Sequence, residues 1–177
     1  MGRLAEAIEH FRTGLELNPL VFLYSNLLLT LNYATNYDTT MIFAEHQRFD
    51  EQYAKPLPVF ARSENKSPQR LKIGYVSADF YHHAVAYVFE PILAHHDHQQ
   101  VEIFCYYNTL KTDEVTARLQ QYADHWVSCA NLSEEALADR IKADQIDILV
   151  DLSGHTAGHR LPVFASKPAP VQVTFLG

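Results

Sequence analysis

The chain has 177 residues, enough for one good core with a small appended domain. Hydrophobic residues make up 47% and charged residues 20%, which excludes an intrinsically disordered chain. The net charge is −7 and no lysine–arginine run stands out, which argues against a nucleic-acid partner.

Residues 2–17 read as a helix with Leu4, Ile8, Phe11 and Leu15 on one face, ended by Asn18-Pro19. The string GRLAEAIEHFRTGLELNP looks like the second helix of a tetratricopeptide repeat. An ordinary amphipathic helix is the alternative. The start is charged and amphipathic, unlike a signal peptide. Residues 20–33 predict a very apolar second helix; at about 13 residues its apolar run is too short to span a bilayer. Asp38 or Thr39 can cap a third helix running to about Tyr53, with Ile42, His46, Phe49 and Tyr53 on its face. The polar, proline-containing residues 55–70 predict a linker between an α-helical segment at 1–54 and a domain at 71–177.

From Leu71 the pattern alternates strand and helix. LKIGYVS, VEIFCYY, HWVSC, IDILVDLS and VQVTFLG read as strands. Helices are expected at YVFEPILAHH, 113–123, 133–143 and 158–166, the third capped by Ser133. Repeated strand–helix–strand units with right-handed crossovers predict a doubly wound, Rossmann-like α/β fold with a parallel sheet. Cys105 and Cys129 fall in strands outside any CxxC and read as buried thiols of a reducing compartment. A soluble, cytoplasmic protein without a membrane partner is the expectation.

Two loops at strand exits carry chemistry. The first, Ser77 to Val85, places Asp79 and His83 just before a helix N-terminus, where free N–H groups favour anions and a histidine can accept a hydroxyl proton. The competing reading is structural: Asp79 caps the helix, and His82 or His83 is a solvated turn residue. The second loop, Ser153-Gly154-His155-Thr156-Ala157-Gly158, lets its backbone approach a ligand, with Thr156 and the amides available to phosphate or sugar oxygens. It matches neither GxGxxG nor a Walker A loop, and a tight turn with a hydrogen-bonded histidine is the alternative. The run His95, His96, Asp97, His98 reads as a solvated helix end, since adjacent histidines diverge and no ligand spacing is present. No metal site is expected.

LKIGYVSADF with His83 beyond it, FEPILAHHD, VEIFCYYN, ADRIKADQIDILVDLSGHTAG and KPAPVQVTFLG together resemble the tetratricopeptide-repeat protein O-glycosyltransferases, the O-GlcNAc transferase and SPINDLY-like enzymes with their bacterial relatives. The resemblance covers most of residues 71–177. It implies a two-lobed, GT-B, inverting glycosyltransferase that needs no metal or other cofactor. The donor would be a nucleotide sugar, UDP-GlcNAc or GDP-fucose, and the acceptors Ser/Thr hydroxyls of intracellular proteins. By this resemblance Asp79 and His83 would be catalytic, while Val85, Gly154, His155 and Thr156 would bind substrate or donor.

The same resemblance leads us to expect residues 71–177 to be an incomplete N-terminal lobe, preceded by repeats and completed by a C-terminal lobe, so that the isolated chain is inactive and self-associates. Tyr81 and Ala84 stand where such proteins usually carry Arg and Ser. The GHTAG loop looks closer to the SPINDLY-like branch, which includes fucose transfer. A non-catalytic interaction module and a small nucleotide-binding domain are the competing readings.

Overall fold

In the computed structural model, which describes residues 3–54 and 70–175, the first apolar periodicity winds into helix α1, Leu4–Leu17. Asn18 leaves the helix with extended backbone while its N–H still bonds Gly14 O at 2.8 Å. Helix α2, Val21–Leu31, buries Tyr24, Leu27, Leu28 and Leu31 in a cluster with Ile8 of α1. Each large side chain so buried contributes about 1.5–3 kcal/mol. Helix α3, Thr39–Phe49, starts where Asp38 Oδ1 accepts the Met41 N–H at 2.8 Å.

The α-helix expected to reach Tyr53 instead widens at Phe49 into a π-helical turn, Asp50–Ala54. Packing accounts for this. The Tyr53 hydroxyl donates to Pro19 O at 2.9 Å, and its ring meets Tyr24 and Phe49 at centroid distances of 5.9 and 5.1 Å. These helices form one compact unit, in which His155–Ala157 are also counted. Apart from Arg70, the predicted linker lies outside the described residues.

The second unit, over described residues 70–154 and 158–175, holds the sheet. In chain order it contains β1 Leu71–Ser77, α4 Ala84–Ala94, β2 Val101–Tyr107, α5 Glu114–Tyr122, β3 His125–Ser128, α6 Glu134–Ala143, β4 Ile148–Asp151, α7 Leu161–Ala165 and β5 Val171–Thr174. The five strands are parallel in the order β3-β2-β1-β4-β5. The α/β fold read from the alternation is therefore the one observed.

The sheet sorts its side chains by strand alternation. Ile103, Cys105 and Tyr107 of β2 pack with Ala86, Phe89 and Leu93 of α4 and Val115 and Leu119 of α5. Phe104 and Tyr106 pack on the opposite face with Leu137, Ala138 and Ile141 of α6 and Val163 of α7. Gly74 in the middle strand has no room for a side chain: a β-carbon there would stand 3.0 Å from Tyr106, 3.1 Å from Leu149 and 3.2 Å from Ile146. Phe80, just past β1, is fully buried, and its ring lies 5.5 Å from that of Trp126.

Two helix boundaries differ from the reading by periodicity. Helix α4 begins at Ala84, ahead of the expected Tyr87, because His83 caps it. Helix α7 is confined to Leu161–Ala165, because Gly158 at φ +78° cannot be helical. The histidines after α4 diverge: His95 Nδ1 lies 2.7 Å from Pro91 O, His96 Nε2 2.8 Å from the Tyr75 hydroxyl, and His98 Nδ1 3.1 Å from Asp124 Oδ2. No helix among the described residues is long and apolar enough to cross a membrane.

Candidate functional site

The strand order reverses direction between β1 and β4, so the loops leaving their carboxyl ends flank the crevice where open α/β sheets take ligands. These are the two loops singled out by sequence. The ends are in register, with Val76 opposite Asp151 and the Leu152 N–H bonded to Val76 O at 3.1 Å.

In the β1 loop Asp79 is nearly buried, and its N–H donates to Ser77 Oγ at 2.9 Å. Its Oδ2 lies 3.9 Å from His83 Nδ1, so the structure brings the predicted pair together. Asp79 does not cap the helix. The cap is His83, whose Nδ1 accepts the Val85 N–H at 3.3 Å. A nitrogen that accepts carries no proton, so the neutral ring bears its hydrogen on Nε2. The imidazole is 41% exposed and so open to a ligand. Val85 is half-buried, and its backbone serves His83.

The neighbouring loop pins this segment. Asp113 Oδ1 caps α5 by accepting the Thr116 N–H, while Oδ2 accepts the His82 N–H at 2.7 Å. Thr116 Oγ1 donates to Phe80 O at 2.8 Å. The two backbone bonds from Thr116 and His82 hold the Asp113 carboxyl below its usual range. His82 itself turns to the Tyr87 hydroxyl, 2.6 Å away.

The β4 loop folds back on its own strand end. The buried Asp151 carboxylate accepts from Ser153 N at 3.1 Å, Gly154 N at 2.9 Å and Thr174 Oγ1 at 3.0 Å. Burial pushes its carboxyl up despite these donors. Gly154 takes φ +53° and Gly158 φ +78°, the left-handed region that favours glycine. A β-carbon on Gly158 would stand 2.6 Å from Ala78 Cβ, so the two loops approach as closely as a glycine permits.

Residues 155–157 group with the helical unit, where His155 Nδ1 lies 3.1 Å from the buried Ser25 Oγ and its ring stands edge-on to Phe49 and His46. Among the described residues no group of three or more His, Cys, Asp or Glu could hold a metal ion.

The model of glycosyl transferase family 41 matches residues 48–177. The chain belongs to this family. SPINDLY of Solanum lycopersicum, named a probable UDP-N-acetylglucosamine–peptide N-acetylglucosaminyltransferase, is 35% identical over 86% of this chain and 17% of its own length. A Caenorhabditis elegans protein named as such a transferase is 33% identical over 90% of this chain and 14% of its own. Among solved structures, a Thermobaculum terrenum O-GlcNAc transferase mutant superposes with a TM-score of 0.94 and 36% identity, over 99% of this chain and 34% of that one. This family 41 chain thus spans about a sixth of the length of its first plant relatives.

Around this family 41 crevice the structure adds residues that motif reading did not reach. Asn108, just past β2, donates its backbone N–H to Ser77 O at 2.9 Å and its Nδ2–H to Gly158 O at 2.7 Å. Its Oδ1 accepts from Arg160 Nη2 at 2.8 Å. The Arg160 guanidinium also reaches Cys129 O and Leu132 O at 2.9 Å and Glu134 Oε1 at 3.1 Å. A polar residue at a strand exit was the available signal for Asn108. Arg160 had none, because its partners lie in distant segments of the chain. Burial, with Arg160 beside it, brings His159 down to about 4, so that ring is neutral at physiological pH. Burial pushes the Cys129 thiol up to about 11 and the fully buried Cys105 higher still, so neither is a thiolate nucleophile.

Proposed function

We propose that this protein acts in protein O-glycosylation: an inverting transfer of a sugar from a nucleoside diphosphate donor to a serine or threonine hydroxyl of intracellular proteins. The hydroxyl oxygen forms a bond to the anomeric carbon while the bond to the diphosphate oxygen breaks. The hydroxyl proton must be accepted, and the departing charge stabilised. No metal or other cofactor is invoked. The observation that carries this reading is the Asp79–His83 pair at the switch point of a family 41 sheet.

His83 has a defined part in it. With Nδ1 accepting from Val85, the ring offers Nε2–H, and we assign that donor to an oxygen of the bound sugar or phosphate. A base role would need the ring to release Val85 and turn an Nδ1–H toward Asp79, 3.9 Å away, freeing the Nε2 lone pair. Gly154, its own N–H held by Asp151, is assigned to let the backbone of its loop approach the donor closely. The remaining contacts to nucleotide and diphosphate are assigned to a second lobe, for which the much longer relatives have room. The 177-residue chain alone is expected not to turn over. UDP-GlcNAc is the donor in the relatives' names, and the SPINDLY-like loop GHTAG keeps GDP-fucose beside it.

The test is transfer by the full-length protein, given UDP-GlcNAc and GDP-fucose in parallel with lysate proteins as acceptors and mass-spectrometric detection on Ser/Thr. Transfer from one donor supports the reading and names the sugar. Transfer from neither overturns it.

A further inference from the structure

Three strand exits meet at one residue. Asn108 follows β2 and touches the end of β1 through its own N–H, Gly158 of the β4 loop through Nδ2, and Arg160 through Oδ1. The two amide atoms are used in opposite senses, one donating and one accepting, so the side chain has a single satisfactory orientation. Arg160 fixes that orientation. It is nearly buried, and its planar guanidinium is tied to carbonyls of Cys129 and Leu132 beyond β3 and to Glu134 at the start of α6. Of these anchors Cys129 is fully buried.

What Asn108 holds in place is the narrowest point between the two loops. Gly158 faces Ala78, the residue directly before Asp79, with no room for a β-carbon. Losing the bond to Gly158 O frees a loop whose backbone sits in a left-handed conformation and leaves that carbonyl without its amide partner.

We infer that Asn108, oriented by Arg160, is a positioning residue that sets the spacing between the Asp79–His83 loop and Gly158 at the close of the β4 loop. This rests on the sugar-transfer reading for its catalytic consequence, but not for its structural one.

Asn108→Asp is the discriminating variant. It is isosteric, keeps an oxygen for Arg160, and removes the donor to Gly158. Arg160→Lys is the second: it keeps the charge but cannot span the acceptors that the guanidinium fork joins. Amide hydrogen exchange across residues 154–160, measured in the chain itself, should quicken at least about tenfold in Asn108→Asp, while exchange in β1 and β2 stays that of the wild type. In the full-length protein the same variant should raise the donor KM and lower kcat/KM by about 10- to 100-fold, the scale of an ångström-sized misplacement. Loop exchange and kcat/KM unchanged in both variants would overturn the inference. Faster exchange in a protein whose wild type transfers no sugar would leave the positioning role standing and discard only the reaction.

Discussion

At the scale of single residues, His83 does two jobs, and a substitution separates them. Its Nδ1 caps helix α4, so His83→Ala should cost about 0.5–1 kcal/mol of stability in denaturant unfolding. If its Nε2–H bonds a substrate oxygen, the same change should lower kcat by about 100-fold or more, and His83→Gln, which retains an N–H donor, should recover most of that loss. An equally inactive Gln variant would hand His83 back to the role of base. Unchanged turnover in the Ala variant would remove it from the mechanism. Sequence chemistry found the Asp79–His83 pair because both residues lie in one short loop. It left the cap to Asp79, since aspartate is the commoner capping residue; only the backbone geometry gives that place to His83. Arg160 was silent, and Asn108 offered no more than a polar residue at a strand exit, for the opposite reason: they act on residues that only the tertiary fold brings near.

At the scale of elements, strand–helix alternation was legible because the central parallel strands β1, β2 and β4 are buried in the sheet and carry near-continuous apolar runs, while the edge strands β3 and β5 are more exposed. The end of α3 was not legible. Its apolar spacing continues to Tyr53, and the π turn arises from ring packing and the bond to Pro19. The start of α7 was hidden by the conformation of Gly158. The sheet's own tolerance is narrowest at Gly74, which β2 and β4 flank on either side. Gly74→Val would thrust methyl groups at Tyr106, Leu149 and Ile146, side chains already held between sheet and helices. Overpacking of this kind should destabilise by about 1–3 kcal/mol. A midpoint in urea equal to that of the wild type would show that the three neighbours can part without cost.

At the scale of the whole molecule, the described chain leaves its edge strand β5 uncovered on one face. Val171 and Val173, with Phe175 just past the strand, are exposed and alternate along it, so they share that face. An apolar stripe on an unpaired edge is a template for association. The 177-residue chain should therefore show an apparent mass that grows with concentration in light scattering, and Val173→Lys should return it toward the monomer. A monomeric wild type at all concentrations would contradict this.

The aromatic packing behind the β1 loop has an optical consequence. Trp126 is the one tryptophan in the sequence. Its ring lies against Phe80, the residue after Asp79, and against Tyr107, the residue before Asn108. The tryptophan emission of this 177-residue chain thus originates directly behind the candidate site. A ligand that shifts the Asp79 loop will alter the surroundings of that indole, and a titration can be followed without attaching any dye.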